Sequence, residues 1–73
     1  MPIRPQHRRI VGERIRTIRN GVTLTQEKLA EKADVHHNFI GEIERGNMNV
    51  SLDALVKIAR ALGVKVKDLI GDV

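Results

Sequence analysis

Four pairs of aliphatic residues, each five positions apart, constrain this chain more than any other feature: Leu24/Leu29, Val35/Ile40, Val50/Leu55 and Val64/Leu69. Five is the spacing of a hydrophobic staple. In it, an apolar residue before a helix N-cap packs on the residue at the fourth helical position. Each pair therefore marks a helix start, with N-caps implied at Thr25, His36, Ser51 and Lys65. Thr and Ser suit that place because their oxygens accept the orphan first-turn N–H groups; His36 and Lys65 are poor caps. Asp53 and Asp68 fall in first turns, where the helix dipole favours negative charge. Gly46 and Gly63 stand where a helix stops. Ahead of the first staple, Val11, Ile15, Ile18 and Val22 recur at helical spacing, with Gly21 near the end. The pattern predicts five helices, over about 6–20, 26–33, 37–45, 52–62 and 66–70, and no sheet, because no stretch alternates with period two. The expected fold class is all-α, a compact five-helix domain. Residues 1–5 contain two prolines and little to bury, and read as a flexible N-terminal arm. Residues 6–73 read as one domain, since 73 residues allow no more.

Composition excludes several classes. There is no Cys, hence no disulfide framework and no thiolate metal site. No apolar run approaches the roughly 20 residues needed to span a bilayer, and no secretory signal is visible, so a cytoplasmic location is expected. No Gly-rich phosphate loop is present, and an enzyme is not expected. His36 and His37 are adjacent, but ligands on one helix face need spacing of three or four. From His36 those positions hold Phe39 and Ile40, and from His37 they hold Ile40 and Gly41. No metal is therefore expected, and a domain this small has little room for a deep pocket, so no cofactor or small-molecule effector is expected either. The formal net charge is +4, and it is uneven. Residues 1–20 hold Arg4, Arg8, Arg9, Arg14, Arg16 and Arg19 against Glu13 alone. The remainder holds seven Lys and Arg against eight Asp and Glu. Such clustering is either a solvated helix face or a steering charge for a polyanion.

The second and third predicted helices are joined by about three residues around Asp34, the skeleton of a helix-turn-helix. Small Ala30 permits close approach. Asp34 sits where a short polar residue tolerates the left-handed conformation. Ile40 and Ile43 face inward, leaving His37, Asn38, Gly41, Glu42 and Arg45 outward. Four stretches carry a resemblance: Gly12-Glu13-Arg14-Ile15-Arg16, Leu24-Thr25-Gln26-Glu27-Lys28-Leu29-Ala30, Ile40-Gly41-Glu42-Ile43-Glu44-Arg45-Gly46, and Ser51-Leu52 through Ala61-Leu62-Gly63-Val64. Together they resemble the phage repressor/Cro helix-turn-helix family, often called the Xre family, over about residues 10–70. Asn47-Met48-Asn49-Val50-Ser51-Leu52 further resembles the small controller proteins of restriction–modification systems.

The resemblance implies a lambda-repressor-like domain that binds double-stranded operator DNA and regulates transcription, commonly as a homodimer. Thr25 and Gln26 match positions that meet a phosphate at the start of the second helix, an anion site by its own physics. His37, Asn38 and Glu42 match outward positions of the recognition helix that reach base edges. His36 matches the cap, which also approaches the backbone. Phe39 matches a position that touches a thymine methyl; core packing is its other reading. Arg45 and Asn47 match phosphate contacts. Arg19 and Glu44 match an ion pair between the first and third helices. The family's usual residues are Ser or Thr where this chain has His36, and Gly where it has Asp34 and Thr23. Val66, Ile70 and Val73 remain as apolar candidates for a dimer interface once the core is filled. A second class of function is an antitoxin-like protein-interaction module with secondary DNA binding. The end of the chain at Val73, with no toxin-wrapping segment, favours the stand-alone regulator.

Overall fold

The computed structural model describes residues 5–71 and 73; most of the predicted N-terminal arm, residues 1–4, lies outside the described residues. Among the described residues five helices follow one another: α1 (Gln6–Gly21), α2 (Gln26–Ala33), α3 (His37–Glu44), α4 (Leu52–Leu62) and α5 (Val66–Ile70). The described residues contain no strand. Helix α3 packs on α1 and α2, α4 on α2, and α5 closes the bundle against α1 and α4. Pro5, read as part of the arm, is instead the N-cap of α1, and its carbonyl accepts from Arg8 N at 3.0 Å.

All four connections open with one local design, and in three of them the residue that follows the left-handed one is apolar. At the end of α1, α2 and α4 one residue takes the left-handed conformation: Thr23 (φ 57°), Asp34 (φ 56°) and Gly63 (φ 75°). The next residue donates its N–H five positions back, Leu24 to Arg19 O at 3.1 Å, Val35 to Ala30 O at 3.0 Å and Val64 to Ala59 O at 2.9 Å. This is the Schellman closure, which satisfies orphan carbonyls. Leu24, Val35 and Val64 are also the staple residues of the following helices. One apolar side chain thus ends one helix and starts the next, which is why the links are so short. Gly46, at φ 78°, ends α3 in the same way, with Asn47 N donating to Glu42 O at 3.0 Å.

The caps explain the two residues that looked unsuited. Thr25 Oγ1 accepts from Lys28 N at 3.0 Å and Ser51 Oγ from Ala54 N at 3.1 Å. His36 caps α3 through its ring: Nδ1 accepts from Asn38 N at 3.2 Å. Lys65 has no acceptor to offer; instead Asp68 reaches back and its Oδ2 accepts from Lys65 N at 2.9 Å.

The core is aliphatic. Ile15, Leu29, Ile40, Ile43, Ile58 and Leu69 are its largest fully buried side chains. Val22 departs from the predicted α1 stripe and is 45% exposed. Helix α1 ends at Gly21, and the left-handed turn at Thr23 sends Leu24 inward in its place. Gly12 faces the end of α3 with no room for a side chain. A Cβ there would stand 2.2 Å from Ile43 O and 3.0 Å from Glu44 O. This glycine sets how closely α1 and α3 approach.

Candidate nucleic-acid interface

Helices α2 and α3 meet around an open polar cleft of about 510 Å³. Gln26 and Glu27 line it from α2, and His37, Asn38, Gly41, Glu42 and Arg45 from α3. The helix-turn-helix brings these residues together because the Asp34–His36 link is so tight. Thr25, at the mouth of α2, is exposed, and its hydroxyl is engaged in the cap. Gln26 and Glu27, the first two residues of α2, line the cleft beside the outer face of α3, and a helix start favours an anion.

Beneath the cleft lies an ionic network. Arg19 Nε donates to Glu44 Oε2 at 2.6 Å, and Nη2 donates to Glu44 Oε1 at 3.1 Å. The two side chains are only 11% and 5% exposed. Arg19 Nη1 also donates to Leu24 O at 2.8 Å, and Gln26 Nε2 donates to Glu44 Oε1 at 3.0 Å. One carboxylate therefore joins α1, α2 and α3. Gln26 is oriented from below by Glu44, leaving the rest of its amide toward the cleft.

The α3 side chains are themselves organised. His36 and His37 stack, ring centroids 4.5 Å apart and 24° from parallel. Asn38 is exposed. Phe39 is half-buried and packs against the core, which leaves only part of its ring for any other contact. Glu42 pairs with Arg45 Nη2 through Oε2 and accepts from Asn47 Nδ2 through Oε1, the latter at 3.3 Å. Gly41, expected outward, is buried: it lies under the side chains of Arg45 and Gln26. Glu27 joins the cleft without having been singled out, since only the fold brings the first turn of α2 beside α3.

Three of the five arginines of α1 lie in separate settings. Arg19 is committed to Glu44, and Arg14 Nη1 donates to Gly71 O beyond α5. Arg9 lies against the end of α3, where a Cβ on Gly46 would come within 2.9 Å of its Cγ. Of the predicted dimer residues, Val66 is half-buried against the core. Ile70 and Val73 are 38% and 57% exposed. They share an apolar cleft of about 310 Å³ with Met48, Val50 and Leu55.

Fold and site together define a helix-turn-helix domain of the repressor/Cro type, and the chain belongs to the helix-turn-helix family, whose model matches residues 15–69. Among curated relatives, it is 48% identical over 64 residues to the control protein C.BamHI of Bacillus amyloliquefaciens, covering 86% of this chain and 79% of that one. Among solved structures, the restriction–modification controller protein C.AhdI from Aeromonas hydrophila superposes with a TM-score of 0.87. The two are 34% identical, with 89% of this chain and 98% of that one covered. SinR, a master regulator for biofilm formation solved in complex with DNA, superposes with a TM-score of 0.78 at 35% identity, over 81% of this chain and 95% of that one.

Proposed function

We propose that this helix-turn-helix regulator of transcription binds an operator as a two-fold homodimer, laying α3 of each protomer in the major groove. The observation that carries this is the shared cleft: an anion-ready start of α2 beside an outward α3 face made of hydrogen-bonding side chains. In this reading Thr25, Gln26, His36 and Asn47 meet the phosphate backbone and set the register. His37, Asn38 and Glu42 face base edges, where Asn pairs with adenine and a carboxylate accepts from cytosine. The part of Phe39 outside the core meets a thymine methyl. Arg19 and Glu44 touch no DNA; they hold α2 and α3 at the angle that lets both reach it.

The dimer forms through the exposed Ile70 and Val73, with a smaller share from Val66. The apolar cleft that Ile70 and Val73 line supports it. The two-fold axis spaces the recognition helices by about one duplex turn, roughly 34 Å. Selection of bound sites from a random duplex pool tests the whole reading. The expected product is a palindrome with half-site centres about 10–10.5 base pairs apart or a multiple of that. A pool showing no enrichment, or enrichment of unpaired half-sites only, refutes it.

A further inference from the structure

Family resemblance places Arg45 on a phosphate, at the far end of the recognition helix. Its side chain here runs the other way. It turns back along α3, as long helical side chains do, and its guanidinium lies over Gly41, one turn earlier. A methyl group at Gly41 would sit 3.4 Å from Nη1 and 3.5 Å from Nη2. The same position is 3.4 Å from Gln26 Oε1. The planar fork therefore lies well inside the cleft, among Gln26, Asn38 and Glu42. Glu42 holds it there through Nη2, and Asn47 holds the other oxygen of Glu42. A guanidinium carries five N–H donors, so donors remain for a ligand. The paired side chains are 58% and 40% exposed. A pair this open adds little to stability; what it supplies is geometry.

We propose that Arg45 and Glu42 read one G·C base pair as a unit, an inference that rests on the major-groove reading above. In the major groove guanine offers two adjacent acceptors, N7 and O6, and its cytosine offers the N4 donor beside them. The ion pair offers N–H donors beside a carboxylate acceptor, the same pattern with donor and acceptor exchanged. Arg45 takes N7 and O6 with two N–H groups. Glu42 keeps its hold on Nη2 and accepts from cytosine N4. Gly41 has no side chain to lift the fork off the helix. A phosphate contact strengthens binding to every sequence alike, whereas contact with a guanine edge favours one base pair.

That difference supplies the test. Sites are selected from a random duplex pool with the full chain and with Arg45→Met and Glu42→Gln. Affinities for the best site and its single-pair variants are then measured across a salt series. Melting of each variant checks the fold, which these exposed positions leave intact. For the unaltered protein we expect one position per half-site to prefer G·C by about 5- to 150-fold. Arg45→Met loses most of that preference, with affinity falling most on the preferred site. Glu42→Gln weakens preference at the same position. Arg45→Met that weakens every sequence alike and keeps every base preference makes Arg45 a phosphate ligand and overturns the proposal. So do two variants that relax different positions. An unaltered protein that selects no site overturns the major-groove reading itself, a result distinct from either of these.

Discussion

Replacing Glu44 by Gln tests the framework beneath the cleft. The substitution keeps shape and volume but removes the charge that Arg19 grips at 2.6 and 3.1 Å. Arg19 is left 11% exposed at its side chain, with one carbonyl partner, Leu24 O at 2.8 Å. The new amide also brings an NH2 toward one of two donors, Arg19 or Gln26, where only acceptors had stood. Breaking one partner of a buried pair costs about 3–5 kcal/mol. The remaining amide oxygen still accepts one bond, so the lower end, about 3 kcal/mol, is expected. For a domain this small, each kcal/mol shifts Tm by roughly 4–8 °C, so a fall of more than about 12 °C follows. The assay is urea and thermal unfolding followed by far-UV circular dichroism, run on Glu44→Gln, Arg19→Met and the double variant. The double variant should recover much of the loss, because no uncompensated charge stays buried. A single-variant cost below about 1 kcal/mol, or strict additivity in the cycle, would refute the claim that this pair is buried and coupled.

Other outcomes follow from the same geometry. Gly12→Ala should destabilise by about 1–3 kcal/mol, since its Cβ would meet the backbone oxygen of Ile43 at 2.2 Å and backbone gives way poorly; unchanged urea unfolding would contradict the α1–α3 contact. Thr23→Gly should stabilise by roughly 0.5–1 kcal/mol, because a β-branched residue at φ 57° carries strain that Gly lacks; a lower Tm would show that the left-handed turn is not formed. Asn38→Ala should cost roughly 1–3 kcal/mol at one base position and relax preference there, as read by competition binding; a uniform loss across all sequences would move Asn38 to the backbone. Ile70→Asp should leave the monomer folded and weaken self-association by at least tenfold in sedimentation; an unchanged association constant would place the dimer elsewhere.

The helices themselves were legible in the chain because what starts and stops them is local. The four staples span five residues each, and the N-caps sit within three of their partners. Even so, the caps were half read: the identity of His36 said nothing of a ring nitrogen accepting from Asn38, and Lys65 is served by Asp68 rather than serving. The left-handed residues were visible where Gly or Asp stood; at Thr23 the sign was the family's usual Gly, and the Leu24–Arg19 closure holds the turn there. The Arg19–Glu44 pair was reachable through family resemblance, not through spacing, since 25 residues separate them.

By itself the sequence determined the number of helices, their order and nearly their bounds, because hydrogen bonds and staples between near neighbours act before any packing. It also determined which face of α3 is apolar, through Ile40 and Ile43. Only the tertiary structure decided what the charges do. Arg14 could have joined a basic surface, but α5 returns beside α1 and presents Gly71 O to it. Arg45 could have reached outward, but bare Gly41 and the carboxylate of Glu42 draw its fork back into the cleft. Long flexible side chains take their direction from whatever partner the fold brings within about 3 Å, and that partner is set by how helices pack, not by neighbours along the chain.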